Sequence, residues 1–577
     1  MTAYLVLASL AVLLALLLSG RFKPASLFVS WAVGYHLLIG TDEKSFLASY
    51  VNPGVVTLAL LLMVSLVLER APLLDALPAR LLRGRPTFAV LRLTGFTAIA
   101  SAFINNTAIV AALLGTLARQ RHLPPSRVLL PLSYAAILGG ITTLIGTSTN
   151  LVVNAFAVEA GLPPMGMFDL AWAGVPIAVV CLIVLAIGSR YLPLHQGRAE
   201  AQAQRYFLEA RVMPGAPLVG RTIEQNRLRQ LDGLYLVEIV RNAHLISPAS
   251  PSEILQADDR LIFTGEIAKV STLQRFPSLQ LFGHQSGALL HSNLVEVVIT
   301  GESELDGRTL RDLDFRTMFD AGVVGIRRGN QQLSGQLGRI VLHAGDCLLL
   351  ATGADFGQHR NLDRNFVIVS GAPVRPRLSA RQSLLAFAGF FAVIALAALE
   401  RLPLLPGLLM LTGLFIASGL LEVAEMRRRF PFELVLIIGS ALSIARVMED
   451  SGAAGLIVQS MSAVSAGHGV WGAFIGAYLI TLLLTEVLTN NAAAALGFPI
   501  ALAAARAFDA DPTPFIMIVC YGASAGFLVP FGYQTHLMVF STGHYRAVDF
   551  VRLGLPITLA YSAVALTVVP YLFPLYP

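Results

Sequence analysis

The chain carries little charge for its length. Only 13% of its 577 residues are charged and 55% are hydrophobic, whereas soluble domains carry roughly 25% charged residues. This composition excludes an ordinary soluble fold and predicts a polytopic α-helical membrane protein. Apolar stretches long enough to cross the hydrocarbon core of a bilayer include residues 2–19, the surroundings of 55–68, and 553–572.

Cysteines and the motifs of enzymes are also scarce. The three cysteines, Cys181, Cys347 and Cys520, are far apart, so neither a disulfide framework nor a metal-binding spacing is visible. The sequence shows no nucleophile–base pair, metal cluster or cofactor fingerprint. We therefore predict a protein that is not an enzyme, needs no cofactor and binds no metal beyond a transported ion. The net charge is +6, but in a membrane protein the positions of Lys and Arg are more informative than their total number. Nothing in the sequence supports nucleic-acid binding.

A charged, strand-rich insert separates two apolar parts of the chain. Composition changes near Arg190 and near Arg381, and alternating segments such as LYLVEIV lie between them. VGRT returns as DGRT, and ADDRL returns as AGDCL, each 87 residues later. The shared offset predicts two small α/β modules, at 200–285 and 288–372. No Rossmann-type glycine fingerprint is present, so a nucleotide-binding unit of that type is missing. Each module is interpreted as a sensor of a small regulatory ligand, a dimerisation module or a mere spacer.

The two apolar parts, residues 1–195 and 380–577, also repeat each other. Each holds an island of amides and hydroxyls inside an apolar run, followed by a second polar patch. The islands are 384 residues apart and the patches 386 apart: Asn105-Asn106-Thr107 and Thr489-Asn490-Asn491, then GTSTN from Gly146 and GYQTH from Gly532. Paired interruptions in two halves are the best sequence indication of a transporter binding site at the membrane midplane.

The positions of Lys and Arg predict the orientation. If segments 86–118 and 470–506 are re-entrant hairpins, the basic clusters at 80–92, 427–429 and 546–552 fall on the same side as the insert. The positive-inside rule then predicts five spans and one hairpin per half, with the insert in the cytoplasm. Because the number of spans per half is odd, the second half is inverted relative to the first. We expect a multi-pass protein of the plasma (inner) membrane, in contact with lipid.

Polar islands in lipid must line protein or a water-filled cavity, because unpaired polar groups there are costly. A hairpin tip at mid-membrane presents a helix N-terminus, which favours an anion, while hydroxyls and freed carbonyls can coordinate a cation. Asn and Thr suit both tasks since they carry donors and acceptors without a permanent charge. The alternative is that they only join helices by hydrogen bonds. The pairing of islands and patches favours a binding site.

The islands carry a family resemblance. SxxxNNT in residues 101–107, followed by GGITTLIGTSTN from Gly139, resembles the divalent anion/sodium symporter family, the carriers of sulfate and of di- and tricarboxylates. TEVLTNNAAAAL and SAGFLVPFGYQTHLMVF resemble the inverted second half of that family. The insert resembles a tandem pair of TrkA-C modules (RCK C-terminal domains), which are attached to potassium transport systems. These resemblances cover nearly the whole chain and imply a homodimer with elevator-type movement.

The resemblance implies roles for individual residues. Both tips would contact the anion, through Asn105, Asn106, Thr107, Thr489, Asn490 and Asn491. One cation site would involve Ser101, Asn106, Gly146, Thr147 and Asn150. A second cation site would involve Thr485, Asn490, Gly532 and Thr535. Sodium is the coupling ion that the family implies.

The sequence departs from the family pattern at both polar patches. Ser148-Thr149 and Gln534-Thr535 replace the Pro-Pro turns, and His536 stands where Asn is usual. Since imidazole can titrate between pH 5 and 8, His536 is either a proton site that replaces sodium or a neutral hydrogen-bonding residue. Glu486, inside an apolar run, is either a further proton site or a paired structural acid.

These observations predict a secondary transporter that couples a small divalent anion to sodium or to protons. Sulfate is favoured over di- and tricarboxylates because the whole arrangement, a carrier with a TrkA-C insert, resembles sulfate carriers and sulfur-response proteins. Hairpin cores with amides and hydroxyls but without Arg or Lys can hold a compact oxyanion, and a carboxylate would fit nearly as well. Arg446 either offers charge to an anion from the extracellular side, extends to the membrane interface, or pairs with Glu449 or Asp450. One alternative function is a potassium channel or transporter regulated by the insert, although a TVGYG-type filter is absent. Another is an anion sensor that does not transport.

Overall fold

The computed structural model describes residues 3–576 apart from short gaps and parts of the insert. The residues outside this description are 19–21, 41, 69, 71–80, 83–84, 120–122, 193–207, 229–230, 232–233, 243, 247–248, 266–278, 283–293, 302, 330, 334–338, 353–355, 357–358, 360–361, 371–377 and 465–468. The boundaries that the sequence predicts at 195, 200, 285, 288 and 372 therefore lie outside the described residues.

The first apolar part is helical. Its helices are α1 (Ala3–Leu18), α2 (Pro24–Ile39), α3 (Glu43–Tyr50), α4 (Pro53–Leu68), α5 (Pro86–Ser101), α6 (Asn106–Arg119), α7 (Pro125–Gly140), α8 (Ser148–Glu159) and α9 (Ala171–Gly188). Helices α2, α5 and α7 have proline in the first turn, at Pro24, Pro86 and Pro125. Proline is favourable there, because a backbone N–H at that position has no partner inside the helix.

The insert contains two five-stranded antiparallel sheets with the same strand order. The first has the order β3-β2-β4-β1-β5 and the second β8-β7-β9-β6-β10. The strands are β1 (Leu208–Val212), β2 (Leu234–Arg241), β3 (His244–Ile246), β4 (Arg260–Gly265), β5 (Leu279–Phe282), β6 (Leu294–Ile299), β7 (Ala321–Arg328), β8 (Gln331–Leu333), β9 (Cys347–Thr352) and β10 (Phe366–Ser370). Two short helices, α10 (Phe315–Phe319) and α11 (Leu362–Asn365), accompany the second sheet. Each sheet has its own hydrophobic core.

The same buried ion pair occurs in both sheets. Arg241 contacts Asp259 at 2.8 Å, and Arg328, 87 residues further on, contacts Asp346 at 2.7 Å. Both aspartates are buried, so a lost arginine would leave a buried charge without its partner. The hydrogen bonds that both arginines donate to these carboxylates raise the pKa of each arginine above its usual value.

The second apolar part is again helical. Its helices are α12 (Ala380–Ala398), α13 (Leu404–Ala417), α14 (Val423–Arg429), α15 (Phe432–Asp450), α16 (Ala453–Val464), α17 (Gly469–Val487), α18 (Asn490–Ala507), α19 (Pro512–Ala523), α20 (Gln534–Thr542) and α21 (Ala547–Leu572). Within the described residues, five helical segments are long and apolar enough to cross a membrane: Glu43–Leu68, which joins α3 and α4, Ala171–Tyr191, Ala380–Ala398, Gly469–Val487 and Ala547–Leu572. These spans define a multi-pass membrane protein.

Two long apolar segments are interrupted at their polar patches. Residues 141–147 separate α7 from α8, and residues 524–533 separate α19 from α20. In the first break, Thr142 Oγ1 donates to the Gly139 carbonyl at 2.7 Å. A side-chain hydroxyl that takes a helical carbonyl in this way competes with the regular ladder of the helix. The breaks free backbone groups in the interior of the helical part.

Helices of one apolar part pack against counterparts from the other. Helix α2 packs against α15, and α13 packs against α4. Helix α8 packs against α18, and α20 packs against α6, while α9 and α21 pack against each other. The contact of α2 with α15 thus corresponds to that of α13 with α4, and the contact of α8 with α18 corresponds to that of α20 with α6. In each pair, the helix from the first part is replaced by its counterpart from the second part, and the reverse. This packing brings both breaks and both hairpins into one interior region.

Candidate functional site

The first hairpin tip lies between α5, which ends at Ser101, and α6, which begins at Asn106. Asn105 Oδ1 accepts a hydrogen bond from the Thr107 backbone N–H at 2.9 Å, so this side chain caps the start of α6. Ser101 Oγ lies 2.7 Å from the amide of Asn106. Ser101 and Asn106 are buried, while Asn105 and Thr107 are half-buried. The island thus forms the turn itself and the first residues of the helix that follows.

The Asn106 amide joins the tip to two other elements. In the orientation that satisfies all its neighbours, its nitrogen donates to Ser101 Oγ, to the Ala136 carbonyl at 2.9 Å and to the Gly146 carbonyl at 3.3 Å. Its oxygen accepts from the Tyr533 hydroxyl at 2.7 Å. A Cβ added at Gly140 would lie 2.6 Å from the nearer polar atom of the Asn106 amide. Glycine at 140 therefore gives this amide the space that it occupies.

The first break is rich in oxygen atoms. Asn150 Nδ2 donates to the carbonyls of Thr143 at 2.8 Å and Gly140 at 3.2 Å. Asn150 is fully buried, and its Oδ1 has no hydrogen-bond partner among the residues that the structure describes. The Gly146 backbone N–H donates to Thr143 Oγ1 at 3.1 Å. Carbonyls of unwound helix together with a free amide oxygen are the ligands that transporters use for sodium.

The second hairpin tip has a similar construction. Helix α17 ends at Val487 and α18 begins at Asn490, and Thr489 Oγ1 accepts from the Ala492 backbone N–H at 3.4 Å. Thr485 Oγ1 lies 2.9 Å from Asn490 Oδ1 and 2.6 Å from the Ala523 carbonyl. A Cβ added at Gly532 would lie 3.4 Å from the Thr485 carbonyl. Three of the four residues predicted for the second cation site, Thr485, Asn490 and Gly532, are thus brought together.

Thr535 and His536 contact helix α7. Ser133 Oγ lies 2.7 Å from Thr535 Oγ1 and 2.8 Å from His536 Nδ1. His536 Nε2 lies 2.9 Å from the Gly526 carbonyl, which can only accept a hydrogen bond. Nε2 therefore carries a proton, and Nδ1 lies beside Ser133 Oγ, which donates to Thr535 Oγ1. Both ring nitrogens thus have a hydrogen-bond partner, and the full burial of His536 favours the neutral imidazole, while Thr535 accepts from Ser133.

His536 occupies the place that Asn150 has in the other half. Asn150 Nδ2 donates to the Gly140 carbonyl, and His536 Nε2 donates to the carbonyl of Gly526, which is 386 residues after Gly140. Asn150 keeps an unpartnered oxygen among the described residues, whereas both nitrogens of His536 are bonded. The two breaks therefore offer different ligands to a cation.

Each hairpin tip contacts the helix that follows the break of the other half. Thr107 Oγ1 lies 3.3 Å from Gln534 Oε1 at the start of α20. Asn491 Oδ1 accepts from Ser148 Oγ at 3.2 Å and lies 3.5 Å from Thr149 Oγ1, at the start of α8. A cavity lined by Asn105 and Ser148 continues towards apolar side chains of α4 and α12. The two islands, far apart in sequence, thus meet around one region.

Four helices begin in this region, namely α6, α8, α18 and α20. The residues that precede α8 and α20, Thr147 and Tyr533, make no side-chain capping hydrogen bond in the described structure. Free N–H groups at helix N-termini, together with the helix dipoles, favour an anion. The side chains that meet here are Asn, Thr, Ser, Gln and Tyr, so the site offers donors without a compensating positive charge.

Several residues of this region had little signal in the sequence. Tyr533, Ser133 and Gln534 make contacts between the halves, although only Gln534 stood out, as part of a replaced Pro-Pro turn. Tyrosine and serine in an apolar run are equally compatible with helix packing, so position alone did not separate them. A search for polar side chains on the segment that precedes the first break would have found Ser133.

Glu486 is paired with backbone groups of the second break. Its Oε1 accepts from the backbone N–H groups of Phe527 and Leu528, each at 3.0 Å. The carboxylate is half-buried and serves the first free N–H groups after α19. Of the two interpretations of Glu486, this geometry matches the paired structural acid.

Arg446 makes a different ion pair from the one expected. It pairs with Glu159 at the end of α8 and donates to the Ser45 carbonyl of α3 at 2.8 Å. Glu449, an expected partner, pairs with Arg506. The expectation of pairing within α15 is wrong, because packing between the two halves places a carboxylate of α8 beside this helix. Arg446 therefore ties α15 to α8 and α3.

The fold defines a class of protein: a multi-pass membrane protein in which polar groups of two interrupted helical segments lie in the interior. The chain belongs to the citrate transporter family CitMHS, whose sequence profile matches residues 3–522. A putative sulfur deprivation response regulator of Chlamydomonas reinhardtii is 31% identical over 91% of this chain and 94% of its own length. An uncharacterized transporter of Synechocystis is 30% identical over 89% of this chain and 88% of its own length.

A third relative is similar over a smaller part. Sodium/sulfate cotransporter 1 of Chlamydomonas reinhardtii is 30% identical over 63% of this chain, a match that covers 43% of that relative. The family and these transporters agree with the expectation of a transport protein and not an enzyme.

Proposed function

We propose that the protein is a cation-coupled secondary transporter of a small divalent anion, with sulfate favoured over di- and tricarboxylates. One observation carries this proposal: two hairpin tips and two helix breaks, from opposite ends of the chain, bring four helix N-termini and uncharged donors together. Such convergence has little value for stability alone, since buried polar groups must each be matched at a cost. It suits an anion that enters, loses water and leaves again.

The architecture proposed for this function is a pair of inverted repeats, each with five spans and one re-entrant hairpin. The exchanged helix contacts support it, because α2 with α15 and α4 with α13 are the same contact seen from the two halves. The positions of the basic clusters support an insert on the cytoplasmic side of the plasma (inner) membrane. By resemblance, the protein works as a lipid-embedded homodimer of elevator type, and the two sheets are TrkA-C-like modules with a small regulatory ligand.

The anion is proposed to lie between the two tips. Asn106 and Asn490 are buried at the first positions of α6 and α18, while Asn105, Thr107 and Asn491 are half-buried and Thr489 is exposed. The buried amides set the shape of the tips, and the more exposed side chains keep amide N–H groups, on Asn105 and Asn491, that can meet the ion. Free N–H groups of α8 and α20 supply further donors.

A sodium ion is proposed at the first break. Ser101 Oγ, the Gly146 carbonyl and Asn150 Oδ1 supply its oxygen ligands, Asn106 positions Ser101 and Gly146 by donating to both, and the backbone of Thr147 completes the turn. The unpartnered oxygen of Asn150 supports this position, because a fully buried amide oxygen normally has a partner. Thr485, Asn490 and Gly532 form the corresponding group in the second half, where sodium would find fewer free oxygen ligands. The bonded imidazole of His536 supports a neutral role there, and protons remain the competing coupling ion.

Sulfate is favoured on chemical grounds. Compact oxyanions can be held by converging N–H and hydroxyl donors alone, whereas carboxylates are often bound through Arg. The name of the similar Chlamydomonas sodium/sulfate cotransporter points the same way. The name of the citrate transporter family keeps tricarboxylates as the direct competitor.

Uptake of labelled sulfate, succinate and citrate into proteoliposomes, with sodium and proton gradients imposed separately, tests the proposal. We expect sodium-driven sulfate uptake that is nearly abolished in Asn106→Ala. Asn154→Ala is the matched control, because Asn154 is an amide of α8 that bonds the Met165 backbone at 2.8 Å and makes none of the contacts between the tips. Equal uptake with and without either gradient contradicts the proposal.

A second candidate is an anion sensor that does not transport. The similarity to a response regulator along nearly the whole chain favours it. A sensor binds the anion in detergent but gives no uptake in proteoliposomes under any gradient, which separates it from the carrier. A potassium pathway controlled by the insert predicts potassium flux in the same vesicles.

A further inference from the structure

The second sheet of the insert is packed directly against the helical part. Strand β6 contacts α20 and strand β10 contacts α6. Val298, Cys347 and Val369 of this sheet belong to the main hydrophobic cluster of the helices. Within the described residues, the first sheet contributes no side chain to that cluster. The two modules therefore have different relations to the membrane part, although their strand order is the same.

Two glycines make the close contact possible. Gly329 and Gly345 are buried and lie against helix α20. A Cβ added at Gly329 would lie 2.9 Å from the Phe540 ring, and one added at Gly345 would lie 3.0 Å from Leu537. Between the two glycines, Ser541 accepts from the Gly329 N–H at 3.0 Å and donates to the Gly345 carbonyl. At these two glycines, the backbone of the module thus packs directly against α20.

The first sheet shows that this surface is specialised. At the positions 87 residues earlier, it has Asn242 in place of Gly329 and Asp258 in place of Gly345. All four residues have a positive φ, of 49° and 71° in the first sheet and 54° and 86° in the second. Asn and Asp tolerate this conformation, so the turns themselves do not require glycine. Asn242 and Asp258 are exposed, and glycine appears only where a helix lies against the turn.

Helix α20 connects this surface to the candidate substrate site. It has only nine residues, and its first residue, Gln534, lies against Thr107 of the first hairpin tip. Gly301 of the second module approaches Gln534, with 3.9 Å between an added Cβ and Gln534 Cγ. Beyond the other end of α20, Arg327 lies 2.6 Å from Nε2 of His544. The module therefore covers α20 from one end to the other.

We propose that the second module is a brake: docked on α20 through Gly329 and Gly345, it holds this helix in place and slows anion transport. Alternating access requires the elements that carry the substrate to change their surroundings. A module fixed to α20 restrains that change, and a ligand or partner that loosens the module releases it. The proposal rests on anion transport but not on which anion is carried.

A swap of residues between the two modules tests the brake. Gly329→Asn together with Gly345→Asp gives the second module the side chains of the first at the same turns. Since the new side chains overlap Phe540 and Leu537, we expect undocking and a rise of about 5-fold or more in the initial uptake rate, the lower end of usual allosteric couplings. The reverse swap, Asn242→Gly with Asp258→Gly, changes turns whose side chains are exposed and leaves uptake unchanged. Unchanged or reduced uptake in the folded first variant overturns the brake.

A reversible cross-link provides the opposite perturbation. A Cβ at residue 345 would lie 3.5 Å from Leu537 Cβ, within the range that a disulfide spans. In Gly345→Cys/Leu537→Cys, we expect oxidation to form the bridge, to stop uptake, and to be reversed by a reductant. Each single cysteine variant is the control for effects of the oxidant on the native cysteines. A bridge that fails to form contradicts the docked geometry, and a complete bridge with normal uptake shows that the module moves with α20.

Different results would refute the transport function and the brake. Absence of anion uptake by the wild-type protein refutes the proposed transport function. Normal wild-type uptake that neither the swap nor the cross-link alters refutes the brake and leaves the transport function intact.

Discussion

The Gly140→Ala substitution tests the geometry of the first hairpin tip with a single methyl group. A Cβ at this position would lie 2.6 Å from the nearer polar atom of the Asn106 amide, which is 0.8 Å closer than the 3.4 Å at which ordinary contact begins. Asn106 has little freedom to retreat, because Ser101, Tyr533 and two backbone carbonyls hold its amide. The methyl group must therefore displace either the amide or the turn that carries the proposed sodium ligands.

The size of the effect follows from the cost of overpacking. Inserting a methyl group into a tightly packed interior costs about 1–3 kcal/mol, which corresponds to roughly 5-fold to 150-fold in an equilibrium constant. We expect sodium-dependent sulfate uptake to fall by a factor in this range. The assay is initial uptake into proteoliposomes, with the amount of folded protein normalised by size-exclusion chromatography in detergent.

Gly95→Ala is the matched control for this prediction. Gly95 lies in α5 of the same hairpin, and an added Cβ there would have no neighbour within 4 Å. Alanine in the interior of a helix is more favourable than glycine by about 0.5–1 kcal/mol, so this variant should transport as well as the wild type. If Gly140→Ala transports as well as Gly95→Ala, the tight contact with Asn106 has no role in the site, and the reasoning is refuted.

Three further predictions address single groups. Asn150→Ala removes a free oxygen and two hydrogen bonds worth about 1 kcal/mol each. The sodium concentration for half-maximal uptake should therefore rise roughly 30-fold. An unchanged concentration excludes Asn150 as a ligand. His536→Asn should leave the pH dependence of uptake unchanged, because the bonded imidazole is neutral already; a flattened pH profile would assign the proton to His536. Arg241→Ala leaves the buried Asp259 carboxylate unpaired at a cost of about 3 kcal/mol; amide exchange in β2 and β4 of the full chain should accelerate, and unchanged exchange contradicts the role of this pair.

The sequence indicates the helical elements of the site because polar groups are conspicuous in an apolar chain. Asn105, Asn106 and Asn490 interrupt apolar runs, and an interruption in lipid must be a turn or a cavity. The tips at 101–106 and 487–490 lie where the islands are. The two breaks coincide with the polar patches for the same reason.

The partners of these residues were beyond the reach of sequence patterns. Asn106 bonds Tyr533, and Thr107 lies against Gln534, at a separation of 427 residues in each case. Periodicity predicts which residues share a helix face, but it does not predict which face meets which. Arg446 illustrates the same limit, since its carboxylate partner, Glu159, is supplied by a helix of the other half.

The surface of the second module that packs against α20 could be predicted in part by comparing the two repeated modules. Aligning the two modules at the offset of 87 residues places Gly329 opposite Asn242 and Gly345 opposite Asp258. Two glycines that replace side chains at turns already occupied by Asn and Asp indicate an approach by another element. The identity of that element, α20, required the three-dimensional structure, because the packing of the module against the helices decides it.

The central claim is that both hairpin tips hold the same anion, and sulfate binding to the purified protein in the presence of sodium measures it most directly. Calorimetry on the wild-type protein, on Asn105→Ala and on Asn491→Ala compares the two tips in one experiment. The account predicts a single sulfate site per chain whose affinity falls in each variant. Loss of affinity in one variant with wild-type affinity in the other would show that a single tip binds the anion and would contradict the account.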